Sequence, residues 1–294
     1  MDAQKIIAGL DPDRHVVIAG PTASGKSALA LKIAETQGGT VVNADALQIW
    51  SCWRVLTARP DAADESAAPH ALYGHVNPGQ AYSVGDWLRD VAGLPGRLII
   101  AGGTGLYLTA LTSGLAQIPP VLAEIRARGD AWLAAGGLAD MVAALDAPTR
   151  AKIDLKNPAR VQRAWEVLTA TGRGISDWQQ DTPAPLIAPA KAHCLVLTSD
   201  RDWLADRIDR RFRQMWDQGA VDEVRAMLPQ WDAGAQWTRA IGAPEIAAYL
   251  RGETDAATAQ NLAIIATRQY AKSQRIWFRN RMKTWETLWM GPKG

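Results

Sequence analysis

The chain predicts an α/β fold, a parallel sheet flanked by helices and interrupted by an all-helical insertion, and three observations predict it. Short apolar runs rich in β-branched residues recur along the chain, each ending in loop-forming residues. One of them, His15-Val16-Val17-Ile18-Ala19, passes directly into a glycine-containing loop and then an Ala/Leu-rich stretch from Lys26, the order strand, loop, helix. From Pro119 to about Thr182 no strand pattern is found, only Ala/Leu-rich helical stretches punctuated by Gly136-Gly137 and Asn157-Pro158.

The remaining elements follow in order. Thr40 to Asp45 and Arg97 to Ala101 repeat the first strand's pattern and read as buried parallel strands. A fourth run, His193 to Leu197, precedes Ser199-Asp200-Arg201-Asp202 and a long charged helical pattern from Trp203, so the sheet resumes after the insertion. The rest is helical, with breaks near Pro229 to Gln236 and at Gly252. The expected division is a core of residues 1–118 and 183–294 around an insertion of residues 119–182.

With 48% hydrophobic and 21% charged residues in 294, the chain can bury a substantial core. No run is long enough to cross a bilayer and the first residues lack a signal-peptide pattern, so the cytoplasm is the expected location. Cys52 and Cys194 lie far apart without metal-ligand spacing, which argues against a disulfide framework or a zinc site. The 32 basic and 30 acidic side chains nearly cancel, so any nucleic-acid partner must be argued from local clustering.

The loop after the first strand, Gly20-Pro21-Thr22-Ala23-Ser24-Gly25-Lys26-Ser27, fits G-x-x-x-x-G-K-[ST]. Its backbone N–H groups can curl around phosphate oxygens while the following helix aims its positive end at them. Lys26 adds a charge and Ser27 can ligate Mg²⁺, which makes the core P-loop NTPase-like. The pattern does not say whose phosphates are held. Asp45 closes the second run at the carboxyl edge of the sheet, where ligands bind. It can support Mg²⁺ or take a proton from a nucleophile, and the plain alternative is a helix N-cap. The third run closes instead on Gly102-Gly103-Thr104-Gly105, a hydroxyl where many nucleotidases place an acid.

Near the C-terminus Arg268, Lys272, Arg275 and Arg279 fall on one helix face with no acid between Arg268 and Lys283. With Tyr270, Trp277 and Phe278 among them, the stretch suits an RNA backbone and its bases. Most of the thirteen tryptophans, such as Trp132, Trp165 and Trp203, read as core or helix-packing residues. His15, His70, His75 and His193 form no catalytic or metal spacing, and the two on strands read as structural.

Several segments in order from residue 20 to residue 279 resemble the tRNA dimethylallyltransferases, also called tRNA isopentenyltransferases: GPTASGKS, NADALQIW, TARP, PGQAYSVGDW, IIAGGTGLYLTALTSGL, NPARVQRAWEVL, RAIGAPEI and TRQYAKSQRIWFR. The resemblance implies transfer of a dimethylallyl group from dimethylallyl diphosphate to N6 of the adenine at tRNA position 37, with release of diphosphate. Gly20 to Ser27 would then hold the leaving group, helped by Mg²⁺ at Ser27, while Lys26, Thr104 and Arg211 contact it and Asp45 is the base. It also implies tRNA contacts at Asp45, Ala46, Leu47, Gln48, Thr104 and Arg126, at Ala159, Arg160, Val161, Gln162 and Arg163, and at Arg239, Ala240, Ile241, Gly242, Ala243 and Pro244. The helical insertion would be the tRNA-binding domain, folding over the anticodon stem-loop, in a chain expected to be a monomer.

This sequence departs from the usual pattern at Ala46, where Ser is common, at Trp50 in place of a Tyr one residue away, at Ala71, where a second His is common, and at Ala243-Pro244. Three rivals share the phosphate loop: a small-metabolite kinase, an isopentenyltransferase acting on free adenine nucleotides, and an RNA-binding module that uses the loop as a nucleotide switch. The basic stripe and the insertion favour tRNA over free nucleotides.

Overall fold

The computed structural model describes residues 3–291 and divides into two compact units, one of residues up to Thr112 and from Leu186 onward, the other of Ser113–Pro185. The first unit opens with α1 (Ala3–Ala8), β1 (His15–Ala19), α2 (Lys26–Gln37), β2 (Thr40–Asn43), α3 (Ala62–Ala67), β3 (His70–Ala71), α4 (Val84–Ala92), β4 (Leu98–Gly102) and α5 (Gly105–Ser113). The second holds α6 (Ala123–Ala134), α7 (Leu138–Ala143), α8 (Ala147–Lys152), α9 (Pro158–Thr171) and α10 (Ile175–Gln180). The first then resumes with β5 (Ala192–Thr198), α11 (Arg201–Met215), α12 (Val221–Met227), α13 (Ala243–Leu250), α14 (Ala256–Arg281) and β6 (Glu286–Trp289).

All six strands run parallel in the order β3-β2-β4-β1-β5-β6. In the middle Val17 lies between Ile100 and Cys194. A strand covered on both faces must be apolar at every position, and β4 is buried at all five. Alternate residues feed two cores. Val17, Val42 and Ile100 pack with Trp87, Leu108 and Phe278, while Val16, Val41 and Ile99 pack with Leu29, Ile33 and Ile7. Each such aliphatic side chain contributes roughly 1.5–3 kcal/mol on burial. A third core joins Trp53, Leu56 and Val76, from the β2–α4 connections, to Phe212, Val224, Trp237, Ile246 and Ile264.

Two differences from the sequence reading have local causes. The edge strands β3 and β6 were not expected; two residues, or four of which two are exposed, carry no readable periodicity. Strand β2 stops at Asn43 rather than Asp45, because the Asn43 side chain bonds both the amide and the carbonyl of Asp45 and turns the chain out of the ladder. His15 and His193 do serve the backbone, accepting the N–H groups of Leu98 and Asp11.

The second unit is all helical and packs Met141, Leu145, Val161, Ala164 and Trp165 into its own core. Asn157-Pro158, which reads as a break, is a helix start: the Asn157 side chain accepts the N–H of Arg160 and Pro158 occupies the first turn of α9. No helix among the described residues is long and apolar enough to cross a membrane.

Candidate active site

The phosphate loop sits between β1 and α2, and its curl is written into its residues. Gly25 takes φ 97° to start α2, a conformation that favours glycine, and Ala23 is held at φ 61° without that freedom. Lys26 is buried, with Nζ donating to the Pro21 carbonyl at 2.7 Å. Burial pulls its pKa down to about 8, Asp45 opposes the shift and Arg211 adds to it. Ser27 lies exposed in the first turn of α2. Two distant side chains fasten the loop from outside: Arg207 Nε donates to the Ala23 carbonyl at 2.8 Å, and Gln274 Oε1 accepts the Thr22 N–H at 2.9 Å.

Asp45 faces the same cavity and owes its place to a relay. The fully buried Trp87 donates Nε1–H to the Asn43 carbonyl at 2.8 Å, and Asn43 donates Nδ2–H to the Leu72 and Asp45 carbonyls and accepts the Asp45 N–H. Of the carboxylate, Oδ1 accepts the Leu47 N–H at 3.0 Å. Oδ2 turns toward Gly103, where a methyl group would lie 3.1 Å from it and would overlap Gln274 Nε2, so this position admits no side chain. Thr104 closes the turn: its Oγ1 accepts the Ala46 N–H at 2.8 Å, so its own hydroxyl proton is available to donate.

A cavity lined by Thr22, Asp45, Gln48, Arg211, Ile241 and Tyr270 joins these parts. Arg211 enters it from α11. Burial lowers its pKa, the Asp45 charge opposes that, and it forms no ion pair among the described residues. The Tyr270 hydroxyl reaches the Thr104 and Gln274 side chains, and its own pKa is raised mainly by burial. The opposite wall is the segment Leu56-Thr57-Ala58. It is fastened by Gln48 Nε2 on the Thr57 and Ala58 carbonyls and by Glu223, whose carboxylate accepts the N–H groups of Arg54, Val55 and Leu56. Thus Asp45 and Arg211, far apart in sequence, line one cavity, with Lys26 close enough to feel both charges and Thr104 bonded to the residue after Asp45.

The residues expected to touch tRNA divide sharply. Ile241 lines the cavity, and Arg239 and Pro244 are exposed. Ala240 and Ala243 are fully buried, and Gly242, at φ 96°, packs against Phe212 and Leu56, so these three build the third core and offer no surface to a partner. In the helical unit Arg126, Ala159 and Arg160 are exposed. Val161 is fully buried in that unit's core, which rules it out as a side-chain contact; Gln162 Nε2 donates to Asp130 and Glu166, and Arg163 lies 3.7 Å from Glu166.

The basic stripe also needs correction. Arg268, Lys272, Arg275 and Arg279 do line one face, along a groove of about 880 Å³, but Arg268 is ion-paired with Asp209 at 2.7 Å. Trp277 packs on the core and Tyr270 lines the cavity with Asp45; of the three aromatics only Phe278, itself 2% exposed, borders the groove beside the cations. A helix separates positions 268, 272, 275 and 279 from 270, 274 and 277 by its own period. The sequence reading missed Asn43, Trp87, Arg207, Glu223 and Gln274, whose roles rest on contacts across the fold.

Comparison with known proteins places the chain. The family described as IPP transferase matches residues 48–281. A tRNA dimethylallyltransferase of Paracoccus denitrificans is 65% identical over 295 residues, covering 97% of this chain and 98% of the relative. One from Ruegeria sp. is 53% identical over 291 residues, covering 98% of each. Among solved structures, the full-length tRNA isopentenylpyrophosphate transferase of Bacillus halodurans superposes with a TM-score of 0.65 at 29% identity, covering 95% of this chain and 89% of that one. A eukaryotic dimethylallyltransferase acting on tRNA shares the fold at a TM-score of 0.80 and 22% identity, covering 94% and 73%.

Proposed function

The chain belongs to the IPP transferase family, and from that premise we propose that it transfers a dimethylallyl group from dimethylallyl diphosphate to N6 of the adenine at tRNA position 37. The observation that carries this reading is the convergence of a phosphate loop and the Asp45 carboxylate, whose Oδ2 accepts no hydrogen bond among the described residues, on one cavity. The adenine amino group is a poor nucleophile because its lone pair is delocalised into the ring. As N6 bonds to the allylic carbon and the carbon–oxygen bond breaks, Asp45 Oδ2 takes the amino proton, and the electron pair leaves with diphosphate. Charge grows on that leaving group, where Lys26, Arg211, the Thr104 hydroxyl and the loop amides stabilise it. The target base has to leave its stack to reach such a cavity.

Ser27 suits a divalent ion. Its hydroxyl is exposed beside the loop, and no group of three His, Cys, Asp or Glu side chains among the described residues cages a metal. A Mg²⁺ that keeps its waters and takes diphosphate oxygens fits such a sparse donor set and would offset the charge of the leaving group. On the RNA side the exposed Arg126, Arg160 and Arg239 offer charges to phosphates, and Leu47, Gln48 and Ile241 line the cavity that receives the base. A monomer is sufficient for all these roles. A metabolite kinase is disfavoured because β4 ends on Gly102-Gly103-Thr104 with no second acid.

The test is incubation with Mg²⁺, labelled dimethylallyl diphosphate and unmodified tRNA, beside AMP as acceptor. Label is expected in tRNA at position 37. Label in AMP but not in tRNA, or phosphoryl transfer from ATP to a small acceptor, would overturn the assignment.

A further inference from the structure

Gln274 lies in α14 on the face opposite the basic stripe, 4% exposed. An amide so buried must place both its ends, and this one does so on two different catalytic segments. Oε1 accepts the N–H of Thr22 in the phosphate loop at 2.9 Å, and Nε2 donates to the carbonyl of Gly103, beside Thr104, at 2.9 Å. Because the Thr22 N–H can only donate and the Gly103 carbonyl can only accept, the orientation of the amide is fixed. The Tyr270 hydroxyl, one helical turn earlier, reaches Gln274 as well. The loop and the β4–α5 turn share no other hydrogen bond among the described residues. Yet the first grips the donor, and the second carries Thr104 and abuts Asp45.

We propose that Gln274 is a positioning residue for the transfer, setting the distance between the diphosphate in the loop and the Thr104–Asp45 edge through its paired bonds to Thr22 and Gly103. The role rests on the prenyl-transfer reading for its catalytic consequence, but its effect on the loop is independent of tRNA. Geometric control of this kind is worth a great deal, since misplacing reacting groups by an ångström costs about a hundredfold in rate.

The variant Gln274→Glu gives a readout that a merely space-filling residue would not. A neutral carboxylic acid reproduces the amide, accepting from Thr22 and donating to Gly103. The carboxylate cannot donate, and it meets the Gly103 carbonyl head-on. The side chain would face Asp45 across Gly103, Tyr270 on its own helix, and Lys26 and Arg211 from the cavity side; burial and Asp45 favour its protonated form. At pH 5.5, therefore, calorimetric binding of inorganic diphosphate and single-turnover transfer to tRNA should lie within about threefold of wild type. By pH 8.5 both should fall at least tenfold further than wild type does over the same range.

A pH profile parallel to wild type in both measurements would overturn the proposal. Loss of the transfer signal in wild type itself would instead overturn the prenyl-transfer reading, with the diphosphate titration still deciding the role of Gln274. Should Gln274→Glu unfold at pH 8.5, the near-isosteric and uncharged Gln274→Met carries the test. It should bind diphosphate at least tenfold more weakly at both pH values, and wild-type affinity in that variant overturns the proposal.

Discussion

The phosphate loop and the acid after β2 line one cavity, yet they are shaped by opposite means. The loop makes most of its curve within eight residues, through the left-handed Gly25 and the Lys26 bond back to Pro21, and Arg207 and Gln274 only fasten it from outside. Asp45 is set by a relay from outside its own segment, Trp87 to Asn43 to Asp45, with Leu72 as a further anchor. A self-made binding element can be recruited for any phosphate. An acid held by the sheet edge and α4 depends on contacts between distant segments, and in the proposed reaction it is the part that takes the proton.

The division can be tested most severely at the acid. Asp45→Asn should lower single-turnover transfer by about 10²–10⁴-fold, the usual worth of a general base, while inorganic diphosphate binds within about twofold of wild type. A parallel fall in calorimetric affinity would show that the two elements are not separable. At the loop, Lys26→Met should lower diphosphate affinity by about 30–100-fold, yet raise thermal stability at pH 7 by about 1–2 kcal/mol, because a buried ammonium is exchanged for an apolar side chain. A lower unfolding midpoint in calorimetry would contradict that account.

The smallest effect comes from the Lys26 proton. Its pKa near 8 means that the free protein loses this proton as pH rises through 8, whereas a bound anion favours the charged form and holds it. Diphosphate binding above pH 8 should therefore take up as much as one proton, and affinity should decline from about pH 8 upward by at most tenfold per unit. Titrations at pH 8.5 in two buffers of different ionisation enthalpy measure the uptake directly. Equal heats would show that Lys26 is already fully charged.

The same contrast explains what could be read from the chain. The strands at His15, Thr40, Leu98 and Ala192 announce themselves because a doubly covered strand needs apolar side chains at nearly every position, and the loop does so because its chemistry is local. Gln274 and Arg207 were invisible for the converse reason: their loop bonds span 252 and 184 residues. Helical phase could have separated Gln274 and Tyr270 from the stripe of Arg268 and Lys272, and it would have shown that a run such as Ala159 to Arg163 must turn one residue, Val161, inward. The edge strand His70–Ala71 had no such signal, since two residues define no period.

The order of the strands has a consequence for the chain's own synthesis. Strand β1 is central, but one neighbour, β4, ends at Gly102, and the other, β5, starts only at Ala192, after the whole helical unit. At about 5–20 residues per second a ribosome needs roughly 5–18 s to make the intervening stretch of about 90 residues, and until then β1 is an open edge with its backbone groups unpaired. The bond from the Ile187 N–H to the Leu111 carbonyl brings the two ends of the excursion together, so the returning strand is delivered beside the place it left. The helical unit thus imposes a delay during translation, in which four of the six strands exist and the phosphate loop still lacks its bonds from Arg207 and Gln274.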